Sequence, residues 1–177
     1  MNPSVLDRFT RGVDAFNTRV GKAASWLYPL LMIVIVLNVT LRYAFGIGSI
    51  ELEEVQWHLY SAAFLLAFAY TYVDDAHVRV DVVYAALPER KRAWIDLFGC
   101  LFLLLPFAGF LLYFSVPYFF ESLALNERSD MPSGLPARYV IKGILCIGLL
   151  LLCLQGVSVA IQKALFLAGY RRPEGRR

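Results

Sequence analysis

Residues 97–120 read LFGCLFLLLPFAGFLLYFSVPYFF, 24 consecutive positions without a charge. A bilayer core about 30 Å thick is crossed by roughly 20 helical residues at about 1.5 Å each, so this stretch is long enough to span one. Buried helices of soluble proteins keep a polar face; this one has almost none, which excludes a soluble helical core. Water inside the hydrocarbon is too scarce to satisfy free amides, so the stretch must be helical.

Working outward, three more runs share this character. Residues 23–41 and 55–73 are 19 residues each without Asp, Glu, Lys or Arg, with His58 the only ionisable side chain in the second, and residues 143–162 add 20. The hydrophobic share is 59%, the charged share 18% and the mean hydropathy +0.58, above the roughly 45–50% apolar content of soluble domains. The sequence predicts an all-α integral membrane protein with four transmembrane helices in one membrane domain over residues 1–177. The spans are placed at about 23–43, 51–73, 94–120 and 139–163, with a cytoplasmic tail over 164–177. The first run is too long for a signal-peptide core and no A-x-A site follows, so it is expected to stay as an anchor.

Charge distribution sets the expected orientation. Arg8, Arg11, Arg19 and Lys22 precede the first run; Arg79, Arg90, Lys91 and Arg92 lie between the second and third; Lys163, Arg171, Arg172, Arg176 and Arg177 follow the fourth. The other two connections hold only Arg42, Arg128, Arg138 and Lys142, so 13 basic residues face four, although the net charge is only +3. The positive-inside rule then puts both termini in the cytoplasm, an N-in/C-in topology. The clusters are topology signals, and no nucleic-acid partner is expected.

Between the runs, residues 1–22 read as a cytoplasmic interfacial helix. Val5, Phe9, Val13, Phe16 and Val20 recur every three or four residues with Arg8, Arg11 and Arg19 between them, a pattern suited to the membrane surface and its lipids. Ser49 is the expected N-cap of the second span, with Glu51, Glu53 and Glu54 at the positive end of its dipole. The loop from His77 to Tyr84 alternates polar and apolar residues and is read as a cytoplasmic interfacial segment ended by Pro88. Pro106 and Pro117 each remove a backbone hydrogen bond inside the third span.

Few residues offer chemistry. Glu54, His58 and Ser61 fall at i, i+4 and i+7 and share one helix face, which should meet protein because a carboxylate facing lipid costs roughly 2.5–3.5 kcal/mol at a span centre. A proton relay or half of a metal site is the second reading of this face, short of the further ligands a metal needs. Gln155, Ser158 and Gln162 form a polar stripe suited to interhelical hydrogen bonds, and Gly156, Ala160, Ala164 and Ala168 a small-xxx-small row that admits a close helix. Glu54, His58, Ser61, Gln155, Gly156 and Ala160 are the candidate interface with a partner subunit. Cys100, Cys146 and Cys153 lie inside spans without a C-x-x-C, so a redox role is not expected. No catalytic set, nucleotide fingerprint or cofactor motif occurs; the sequence offers no enzyme.

Arg42-Tyr43-x-Phe45-Gly46 followed by acidic residues resembles the small membrane subunit of tripartite ATP-independent periplasmic (TRAP) transporters, the DctQ-like family. So do Ala69-Tyr70-Thr71, the string His77-Val78-Arg79-Val80-Asp81-Val82, Leu87-Pro88, and the stretch from Ser129 through Pro132, Gly134, Leu135, Pro136, Arg138 and Tyr139 to Lys142-Gly143. The matching positions include Arg42, Tyr43, His77, Arg79, Asp81, Pro136, Arg138 and Lys142. The resemblance implies a bacterial inner-membrane complex. In it a periplasmic substrate-binding protein delivers an organic acid to a large membrane permease subunit, driven by an ion gradient, usually sodium. The small subunit would be a scaffold that does not touch substrate. The Pro132–Tyr139 string resembles the branch tied to 2-oxo acids and related carboxylates. Two other classes stay open on the residues alone: a self-contained proton-coupled exporter using Glu54, and a small membrane redox protein using His58 and the cysteines.

Overall fold

The protein is represented by a computed structural model that describes residues 3–74, 84 and 86–170. The described residues form helices α1 (Pro3–Ser25), α2 (Leu27–Phe45), α3 (Ile50–Val73), α4 (Glu89–Gly99), α5 (Leu105–Ala124) and α6 (Tyr139–Leu167), with a π-helical turn, Cys100–Leu104, joining α4 to α5.

Local chemistry sets the breaks. Proline has no N–H and crowds the carbonyl four residues earlier. Pro29 therefore disturbs the helix at Ser25, where α1 ends and Trp26 turns the chain into α2. Pro106 would disturb Phe102, which lies within the π-helical turn; there Leu105 N–H reaches back to Cys100 O, one residue further than an α-helix does. Gly46, at φ +67°, ends α2 with its N–H on Leu41 O. Ser49 then caps α3, its hydroxyl accepting from Leu52 N at 3.2 Å.

The helices pack as a row: α2 on α3, α3 on α6, and α6 on the α4–α5 rod, with α1 lying against both α3 and α6. Helix α6 is the hub and buries nine residues, Gly148, Leu149, Leu151, Leu152, Gln155, Gly156, Ser158, Ala160 and Leu165. Gly148 is where α3 comes closest: a Cβ there would sit 2.7 Å from the Leu65 carbonyl oxygen.

The expectation of four spans is corrected. Among the described residues, three helical segments are long and apolar enough to cross a membrane: Ser4–Phe45, Glu89–Ala124 and Tyr139–Leu167. Helix α3 is long enough but too polar, because Glu51, Glu53 and Glu54 open it and Gln56, His58, Ser61 and its tyrosines dilute the rest. Its residues 55–73 carry no Asp, Glu, Lys or Arg, but uncharged is not the same as apolar. The N-in/C-in topology falls with the fourth crossing, since an odd number of crossings separates the ends. The expected interfacial segment at His77–Tyr84 lies, apart from Tyr84, outside the described residues.

Candidate functional site

Three polar anchors organise the molecule, each tying distant parts of the chain. The first is built on Glu54. The Ser49 cap starts α3 so that Glu54 stands one turn in, half-buried beneath the loop between α5 and α6. Its carboxylate accepts from the Ser129 hydroxyl and, at 2.6 Å, from Leu135 N–H. The Ser129 hydroxyl, and next the Leu135 amide, hold the Glu54 carboxyl below the usual carboxylate range. The loop closes on itself through Ser129 N to Leu135 O at 3.1 Å and Arg138 N to Glu127 O at 3.0 Å. Glu127 pairs with Lys142, whose ammonium sits 3.7 Å from the Tyr118 ring centre. That ammonium is the main reason the Glu127 carboxyl is also held low.

The second anchor joins α1 to α6. Asp14 accepts from Gln155 Nε2 at 2.9 Å, Ser158 Oγ at 3.0 Å and Gln162 Nε2 at 2.8 Å. Asn17 Nδ2 donates to Gln155 Oε1 at 2.7 Å. Asn17 and Gln155 are each 1% exposed, so the bonds exchange inside the protein rather than with solvent. The third anchor is Asp96 on α4, which accepts from Lys163 Nζ on α6 at 2.6 Å and from the Tyr84 hydroxyl at 2.7 Å.

The residues singled out from the sequence are dispersed among these anchors. His58 does not join the Glu54 carboxylate as a relay: its Nδ1 lies 2.7 Å from the Glu54 backbone oxygen, against its own helix. Ser61 is half-buried one turn further on. Gln155, Gly156 and Ala160 are buried within the chain. The helix that approaches the small-residue row is this chain's own rod, with Cys100 Sγ 2.9 Å from Gly156 O and the Leu104 and Leu105 side chains over Gly156. Arg42 pairs with Glu53 across the α2–α3 turn, and Tyr43 and Pro136 are exposed. Arg138 lies 3.5 Å from Asp130. His77, Arg79 and Asp81 are outside the described residues.

Asp14, Asn17 and Asp96 have no role in the sequence reading, and Ser129 enters it only as the start of a family-like stretch. A signal for the first two was present: Thr10, Asp14, Asn17, Gly21 and Ala24 repeat at helical spacing as a small and polar stripe. It was obscured by the louder valine and phenylalanine stripe of the same helix. Nothing local points to the partners of Ser129 and Asp96, which are 75 and 67 positions away.

Each anchor is a carboxylate that accepts hydrogen bonds from distant parts of the chain. Among the described residues no three His, Cys, Asp or Glu side chains gather as metal ligands. The free cysteines are dispersed, Cys100 buried and Cys146 and Cys153 half-buried.

The family described as Tripartite ATP-independent periplasmic transporters, DctQ component, matches residues 31–165. No curated protein and no solved structure matches the chain.

Proposed function

The chain belongs to the DctQ component family of tripartite ATP-independent periplasmic transporters, and on that premise we propose that it frames a large permease subunit without itself carrying solute. It is a multi-pass α-helical protein of the bacterial inner membrane, a non-catalytic small subunit with a general scaffold role. The finer reading is that a periplasmic binding protein hands an organic acid of the carboxylate class, a 2-oxo acid among them, to the large subunit. An inward sodium gradient then drives import.

The observation that carries this reading is the division between the inside and the outside of the helix row. Polar side chains turn inward and are spent as fasteners, whereas the flanks present apolar surface: Met32, Ile33 and Val36 on α2 are 64–67% exposed, and Phe107, Phe110 and Tyr113 on α5 are 62–72% exposed. Such flanks suit lipid and a partner's helices. A carrier instead needs broken helices and clustered ligands at a solute site. Glu54, the one residue an exporter reading would use, is engaged with the loop between α5 and α6.

Reconstitution tests the proposal. With binding protein, a carboxylate substrate and an inward sodium gradient supplied, both membrane subunits together should accumulate substrate. The small subunit alone should give background uptake. Saturable uptake by this chain alone would overturn the scaffold reading.

A further inference from the structure

Helix α1 divides around its circumference into three stripes, and the Asp14 anchor decides where each one points. Successive residues turn about 100° around a helix. One side carries Thr10, Asp14, Asn17, Gly21 and Ala24, and these pack inward, with Thr10, Asn17, Gly21 and Ala24 buried. The stripe that is apolar in the sequence is divided: Val13 and Val20 are half-buried, whereas its remaining members face outward. Val5, Phe9 and Phe16 are 59%, 45% and 53% exposed. Beside them run Arg8, Arg19 and Lys22, all exposed.

Charge on this helix is unevenly neutralised. Asp7 pairs with Arg11, and Asp14 is taken up by Gln155, Ser158 and Gln162. Arg8, Arg19 and Lys22 make no ion pair among the described residues. Arg8 and Arg19 lie within roughly 20° of each other around the axis and about 16 Å apart along it. They form a row of cations flanked by exposed phenylalanines.

We propose that this outward face of α1 is a docking surface for anionic phospholipid, with Phe9 and Phe16 in the acyl boundary and Arg8, Arg19 and Lys22 on headgroup phosphates. Charge complementarity selects the occupant: three uncompensated cations beside exposed aromatic rings match an anionic interface, where each basic residue contributes on the order of 1 kcal/mol, or roughly fivefold. The bonds of Asp14 and Asn17 to α6 and the close approach of Gly21 to Tyr70 give the surface its direction. The inference is independent of the transporter reading, because it concerns lipid and not solute.

Trp26, 76% exposed and one turn beyond Lys22, is a reporter at the end of the stripe. The full chain carrying Trp57→Phe and Trp94→Phe is placed in bilayers of phosphatidylcholine with a minor fraction of phosphatidylglycerol. One or the other lipid is brominated to quench the remaining tryptophan. Brominated phosphatidylglycerol should quench roughly threefold or more beyond its bulk share. Arg8→Gln/Arg19→Gln/Lys22→Gln should bring quenching down to the bulk share with helix content unchanged, and Arg8→Lys/Arg19→Lys should keep the preference. Inorganic phosphate at matched ionic strength should leave it in place. Quenching at the bulk share in the parent chain, a preference that survives the triple substitution, loss of preference in the lysine variant, or displacement by inorganic phosphate would each overturn the proposal. So would an unchanged lipid preference in a triple variant that no longer co-purifies with the large subunit, which would assign the face to protein.

Discussion

Helices α5 and α6 have similar apolar character and opposite fates. Half of the most apolar 18-residue stretch of α6 is buried, against 11% of that stretch in the α4–α5 rod. Hydrophobicity does not distinguish them, but residue size and polarity do. The buried face of α6 carries Gly148, Gln155, Gly156, Ser158 and Ala160, whereas α5 turns Phe107, Phe110, Tyr113 and Phe114 outward. Lipid is as apolar as leucine, so exchanging lipid contact for protein contact brings little gain for a large apolar side chain. Small residues gain by letting backbones approach, and polar residues gain by finding partners. In this chain small and polar residues share the interior with leucines, Leu149, Leu151, Leu152 and Leu165 of α6 among them, while the aromatic side chains of α5 lie outside.

The comparison breaks most visibly at Gly148. Gly148→Val should cost about 3 kcal/mol or more, because the added side chain meets the Leu65 carbonyl and backbone cannot step aside. The expected result is loss of folded protein in detergent; a stable variant would mean α3 and α6 are not held as closely as described.

Asp14→Leu comes next. It strands the donors of Gln155, Ser158 and Gln162, for an expected loss of roughly 2 kcal/mol, three interhelical bonds at about 0.6 kcal/mol each. A double-mutant cycle with Gln155→Leu should show positive coupling between the two sites; strict additivity would show that Asp14 and Gln155 do not stabilise each other.

A smaller, pH-dependent effect is expected at Glu54 and Glu127. Both carboxyls are held below their ordinary value, so the unfolded loop binds protons more readily than the folded one. Their stabilisation is in place above about pH 4.3, the ordinary glutamate value, and fades as pH falls through the lower folded values. Hydrogen exchange at the Leu135 amide should accelerate, relative to the intrinsic rate, as pH drops through that window, and Glu54→Gln should flatten the dependence. An amide equally protected at both ends of the window in the parent chain would remove Glu54 as the loop's anchor.

The smallest change is expected on the other side of the comparison. Phe107→Leu, on the exposed flank of α5, should alter stability by less than about 0.5 kcal/mol. A large loss in the isolated subunit, measured by thermal unfolding, would mean that this flank is packed within the chain.

Several elements were legible from local chemistry. The Ser49 cap of α3 is one of them, because it acts within three residues of itself. The polar stripe Gln155–Ser158–Gln162 announced bonds between helices, but not to which helix. Helix α3 departs from its sequence pattern for a definable reason: absence of charge is not apolarity, and Gln56, His58 and the tyrosines keep it below the hydropathy of a span.

The sequence by itself determined that the chain is helical and membrane-bound and which family it resembles, because these depend on runs of apolar residues and on short-range motifs. Only the tertiary structure decided that Glu54 fastens a loop 75 and 81 positions away, that Asp14 clamps α1 onto α6, and that the phenylalanines of α1 face outward. In a bilayer the apolar pattern says which segments avoid water and is indifferent to which faces meet protein. That choice rests on a few small and polar side chains whose partners lie far along the chain, and only the packed helices bring them together.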